Sequence, residues 1–185
     1  MNTIAQIAGL SGAALTIFSY QMKKNRSLYL LKGISGVLFA LQFYLLGNLT
    51  ASLLNLINLL RAAALVSSKC KSDRRVFLLI QLLYITCCIF TFGKGDVVFG
   101  GVMMAMVLSA VGTLVQLIET RALMTHNGKR IRIAQVCVIS PFWLINNIFS
   151  GSIGGVVTEV FGIGSVILSF LRYGVNGFET ENDKA

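Results

Sequence analysis

Apolar runs of roughly 17 to 22 residues recur along this chain, and short links between them hold most of its charge. Each run is long enough to cross a hydrocarbon core about 30 Å thick as a helix. In lipid a spanning segment must satisfy its own backbone groups, and a helix does so internally. The runs fall at about 3–22, 28–47, 50–67, 76–92, 97–118, 132–149 and 153–173. Only 12% of the 185 residues are charged, against about a quarter in a soluble domain. The fold class is therefore all-α and transmembrane: one seven-helix domain over 1–176, followed by a polar cytoplasmic tail over 177–185. No basic residue precedes the first run and KKNR follows it, so it reads as a retained span, not a cleaved leader.

The net charge of +9 raises nucleic-acid binding as a possibility, but its distribution speaks against it. Lys23, Lys24 and Arg26 occupy the first link; Lys69, Lys71, Arg74 and Arg75 oppose Asp73 in the third; Arg121, Lys129, Arg130 and Arg132 mark the fifth. GNLT and SGSIGG carry no charge, and Lys94 balances Asp96 in the fourth link. Basic and neutral links alternate, which requires an odd number of crossings and places the amino terminus outside and the carboxyl terminus in the cytoplasm. Cys70, Cys87, Cys88 and Cys137 lack C-x-x-C spacing and read as packing residues. No metal-ligand run, nucleophile elbow or HExxH occurs, so no cofactor, metal or catalytic residue is expected, and the chain does not read as an enzyme.

The two uncharged links each join an antiparallel helix hairpin. Laying Gly47 over Gly151, a shift of 151 − 47 = 104, also puts Gln42 over Asn146 and Asn55 over Glu159. Together with the order of elements, this suggests three helices, a linker helix and three helices, the 3+1+3 arrangement of an internal repeat. The fourth run, LLIQLLYITCCIF, lacks a polar stripe and suits the linker.

Polar residues inside the runs are the candidate site. Ser109, Thr113, Gln116 and Thr120 share one helix face, and Asn55, Asn58 and Arg61 another. Such stripes must meet another helix or a wet cavity. For the hydroxyls and Gln116 helix packing is the simpler reading. Arg61 is placed to snorkel towards the cytoplasmic surface, and His126 to be solvated in its basic link. Pro141 is expected to kink the sixth helix. Trp143 suits either a pocket wall or an interfacial aromatic belt, with the belt slightly favoured. Gly151 and Gly155 form a G-x-x-x-G that would bring the last two helices close. Glu159, among valines, is costly in lipid and is a functional candidate by default.

The run WLINNIFSGSIGGVVTE resembles the signature of the bacterial inner-membrane YgjV family, through Trp143, Asn147, Gly151, Ser152, Ile153, Gly154, Gly155 and Glu159. Leu45, Leu46, Gly47, Asn58, Arg61 and Arg172 match the same pattern, while Asn146 stands where a histidine would be expected. The resemblance implies a multi-pass protein of the bacterial inner membrane and supplies no chemistry. The architecture is also similar to SWEET sugar facilitators and PnuC-type vitamin carriers, which implies a small solute bound between two bundles. The expected function is a carrier of a small polar solute. Asn55, Asn58, Gln116, Trp143, Asn147 and Glu159 would bind or couple it, and Glu159 would be able to carry a proton. The alternative is a membrane scaffold whose polar residues only pack helices. Partners are the lipid bilayer and that solute; self-association is left open.

Overall fold

A computed structural model describes residues 3–67, 73–95 and 97–174. Lys69, Cys70, Lys71, Asp96 and the tail at 177–185 lie outside the described residues. Seven helices are long and apolar enough to cross a membrane: α1 (Thr3–Tyr20), α2 (Asn25–Leu45), α3 (Leu49–Val66), α4 (Arg74–Thr91), α5 (Gly101–Met124), α6 (Gly128–Phe149) and α7 (Ile153–Tyr173). No strand occurs among the described residues.

Helix boundaries follow local chemistry. Asn48, Asp73, Asn127 and Ser152 each accept a backbone N–H of the helix they precede, from Ala51, Arg75, Arg130 and Gly155 respectively, satisfying donors that helix geometry leaves open. The fifth helix is displaced from the expected 97–118. It cannot start earlier because Gly100 and Gly101 have φ of 110° and 63°, values that interrupt a right-handed helix. At its other end it runs on through Glu119 to Met124. In α6, residues Gln135–Ile139 widen into a π-helical turn, with the Ser140 N–H bonded to the Gln135 carbonyl five residues back. The widening directly precedes Pro141, which lacks an N–H and cannot close a regular turn.

The two uncharged hairpins repeat each other bond for bond. Leu46 N–H donates to Gln42 O, and Ser150 N–H to Asn146 O; Gly47 donates to Tyr44, and Gly151 to Ile148; Asn48 donates to Phe43, and Ser152 to Asn147. Every pair is related by 104 residues. Gly47 and Gly151 take φ of 81° and 65°, the left-handed conformation with which such helix ends close and which only glycine adopts without cost.

That geometry corrects the reading of G-x-x-x-G. Gly151 lies in the turn, not on a helix face. Gly155 abuts the Asn147 side chain of α6, whereas a Cβ on Gly154 would overlap the backbone of Gly9 and Leu10 in α1. The closest approach of α7 is thus to the first helix.

Helices α1, α2 and α3 pack in sequence, α7 lies against both α1 and α6, and α5 touches α3 and α6. These six surround a common interior. Helix α4 packs on α3 and α5 from outside, and Leu78, Leu79, Leu82, Ile89 and Phe90 turn away from the protein. Polar bonds tie neighbours together: the Gln6 amide spans Gly151 O and Ile153 N–H, and Gln21 donates to Ser165. Ser109, Thr50 and Thr91 form a hydroxyl chain joining α5, α3 and α4. These are packing bonds, worth about 0.6 kcal/mol each on average.

Candidate functional site

All six residues singled out from sequence as solute-binding or coupling candidates (Asn55, Asn58, Gln116, Trp143, Asn147 and Glu159) line one cavity. Its volume is about 80 Å³, and every span except α4 contributes to its wall. A cavity needs roughly 10–15 Å³ to hold a single water, so this one has room for several waters or a small solute. Lys32, Glu119 and Gln135 line it as well.

The most densely bonded part of the wall is an ion cluster joining three helices. Glu119 on α5 accepts from Lys32 Nζ on α2 and from Arg61 Nη2 on α3, the latter at 2.8 Å. Arg61 Nη1 also donates to Gln116 Oε1 at 3.1 Å and Thr120 Oγ1 at 3.0 Å. Arg61 is 3% exposed, so it does not snorkel. Its carboxylate partner sits 58 positions away in sequence, and a buried guanidinium with charge-assisted partners is held more firmly than one drawn to the surface. Lys32 Nζ bonds in addition to Gln135 Oε1 on α6 at 3.1 Å, and Gln135 Nε2 donates to Ser140 Oγ at 3.0 Å. The π turn brings Gln135 and Ser140, five residues apart, into contact.

Ser140 is in turn the hydroxyl neighbour of Glu159 on α7. Hydrogen bonds therefore run from Ser140 through Gln135 and Lys32 to Glu119 and Arg61, with Glu159 on the same cavity wall. Glu119 lies ~7 Å of helical rise from Met124 and Lys32 ~10 Å from Asn25, both measured from the end of the bundle that carries the basic links, at 1.5 Å per residue. Glu159 lies ~9 Å from Ile153 at the other end by the same measure.

Trp143 is 9% exposed and packs between Phe43 and Phe142, with ring centroids 6.1 and 5.6 Å away. It belongs to the cavity wall and not to an interfacial belt, because the aromatic contacts offered by α2 and by its own helix are interior ones. Asn58 accepts from the Tyr84 hydroxyl at 2.7 Å, and Asn55 donates to Ala51 O one turn back. Gln116 is committed to Arg61. Among the amides lining the cavity, Asn147 has a buried Oδ1 that accepts no hydrogen bond from the protein.

At the end bearing the neutral links, Asn48 Nδ2 donates to Asn146 Oδ1 at 3.3 Å and to Ser150 Oγ at 2.8 Å. The two hairpins are latched together there, which gives Asn146 its role in this structure. At the opposite end, Arg132 is fully buried and donates to the carbonyls of Gly128, Tyr20 and Met22; it is a structural tie and not a solvated link residue. His126 is likewise half-buried, its ring edge-on to Tyr29 with centroids 6.3 Å apart. Among the described residues no three His, Cys, Asp or Glu side chains could hold a metal ion, and the cysteines Cys87, Cys88 and Cys137 are free thiols.

Residues 3–176 match the family model Imp-YgjV, described as bacterial inner membrane protein. The chain belongs to the Imp-YgjV family. It is an integral protein of the bacterial inner membrane, and its seven helices have the length and apolarity to span it. No curated protein and no solved structure matches the chain.

In this Imp-YgjV protein, sequence reasoning missed Lys32, Glu119 and Gln135. Lys32 interrupts an otherwise apolar run, LYLLKGISGVLF, and such an intramembrane charge is itself a functional signal. Glu119 was hidden by its place next to a basic link, where an acid reads as surface charge. Gln135 gave no signal without the π turn that aims it. Glu119 also supplies a second buried acid, where the sequence offered Glu159 alone.

Proposed function

We propose that this protein is a carrier or facilitator of a small polar solute, and that it works by rocking two helix groups, α1–α3 and α5–α7, about the shared cavity. The observation that carries this reading is the cavity itself. It is bordered by six spans, excludes the linker-like α4, and is lined by buried charges that lipid could not solvate. The bond-for-bond likeness of the α2–α3 and α6–α7 hairpins supports a 3+1+3 internal repeat, as in carriers whose sites lie between repeats. The likeness to SWEET and PnuC-type carriers remains one of architecture. By the distribution of basic links, the latch at Asn48, Asn146 and Ser150 faces outward and the Lys32–Glu119–Arg61 cluster faces the cytoplasm. In the alternating cycle each set of bonds opens in turn while the other holds.

Glu119 is neutralised by two cations, so the two buried acids do not form a free acid–base pair, and the reading is a non-enzymatic one. The competing reading is a membrane scaffold. It draws on the Thr50–Thr91–Ser109 chain, where buried hydroxyls serve packing alone, but does not account for a lined cavity. A proteoliposome uptake screen of small polar solutes tests the proposal. Uptake is expected to be lost in Glu159→Gln and reduced in Asn147→Ala; equal uptake in both variants and the parent, or no uptake of any solute, overturns it.

A further inference from the structure

The charged groups lining the cavity are Lys32 and Arg61 against Glu119 and Glu159. With all four ionised the wall is neutral. Glu119 is spent between the two cations, so the cluster of three carries one net positive charge, and Glu159 is the acid left to balance it. Each surrounding helix brings polar or titratable groups to the wall that holds Glu159: Tyr20 from α1, Tyr29 and Lys32 from α2, Arg61 from α3, Glu119 from α5 and Gln135 from α6. Helix α6 adds no charge to the lining, and Arg132 lies outside it, bonded to backbone carbonyls.

An uncompensated charge in a buried site is strongly unfavourable. When Glu159 takes a proton, the cluster loses its balancing charge, and a negative ligand in the cavity restores it. When Glu159 is ionised, the same ligand meets a second buried anion. Lys32 is equipped to receive it. An ammonium has three donors; two are used, on Glu119 and Gln135, and the side chain is 17% exposed. The volume of about 80 Å³ restricts the ligand to a small molecule.

Resting on the carrier reading, we infer that the solute is a small monocarboxylate, bound at the Lys32 ammonium together with a proton on the Glu159 carboxyl. The step forms one O–H bond on Glu159 with a proton from solution and breaks no bond in the solute. One negative and one positive charge enter together, so the loaded cavity keeps the neutrality of the empty one. Binding of proton and anion is then reciprocally linked.

The chain has a single tryptophan, Trp143, in the cavity wall, so its emission reports occupancy directly. Detergent-purified protein is titrated with acetate, propionate and lactate, and with propionamide as the uncharged counterpart of propionate, across pH 5 to 9. Expected are carboxylate binding whose affinity falls about tenfold per pH unit on the alkaline side, following a one-proton linkage, and a flat profile in Glu159→Gln. Lys32→Met, which leaves the Arg61–Glu119 pair intact, is expected to weaken carboxylate at least tenfold. Propionamide binding as well as or better than propionate, with uptake of the amide into proteoliposomes, overturns the anion assignment and leaves the carrier reading standing. PH-independent carboxylate binding in the parent overturns the role of Glu159. Failure of every probe to bind or enter, with the protein monodisperse, overturns both.

Discussion

Replacing Glu119 with glutamine tests whether the ion cluster is a true buried network. The carboxylate accepts from Lys32 Nζ and Arg61 Nη2, and its side chain is 6% exposed, so solvent does little to screen it. Glutamine keeps the shape but removes the only charge between two cations, and turns one accepting oxygen into a donor that faces donors. Breaking a buried pair by removing one partner costs about 3–5 kcal/mol. Arg61 keeps Gln116 and Thr120, and Lys32 keeps Gln135, which holds the expected loss near the lower half of that range, about 3–4 kcal/mol. Lys32→Met is the matched control. It leaves the Arg61–Glu119 pair whole and orphans one lone pair on Gln135 and one on Glu119, a loss of about 1–2 kcal/mol. Equilibrium unfolding in bicelles, followed through Trp143 emission, measures both. Equal losses for the two variants, or a loss below about 1 kcal/mol for Glu119→Gln, would mean that water already screens the cluster, and the buried-network reasoning fails.

Gly154→Leu should prevent the close contact of α7 with Gly9 and Leu10 in α1; the expected loss of about 1–3 kcal/mol or more is read as reduced folded yield on size-exclusion chromatography, while Gly164→Leu, with nothing near a Cβ there, stays close to the parent. Asn48→Ala removes a helix cap and the latch to Asn146 and Ser150, and should cost about 1–2 kcal/mol in the same bicelle assay. Asn48→Asp, which keeps a capping oxygen but has no N–H to donate, should recover only part of that loss. In a background without the native cysteines, Lys94→Cys should react with a membrane-impermeant maleimide in intact cells, and Thr125→Cys only after lysis; the reverse pattern sinks the outward assignment of the amino terminus.

What the sequence determined by itself is set by local composition. Span number follows because transfer into hydrocarbon is a sum over neighbouring residues, which any window of about 20 residues records. The hairpin turns were visible at Gly47 and Gly151 because a left-handed helix end selects glycine wherever it occurs. Glu159 stood out because an acid among valines contradicts its surroundings. The tertiary structure decided everything that depends on a partner far along the chain. Arg61 read as a surface-seeking cation until Glu119, Gln116 and Thr120 met it from another helix. Lys32 and Glu119 are 87 residues apart, and neither carries any local sign of the other. Trp143 could be assigned to the cavity only once Phe43 was seen packed beside it. A charge is priced by its whole surroundings, and in a bundle most of those surroundings belong to other helices.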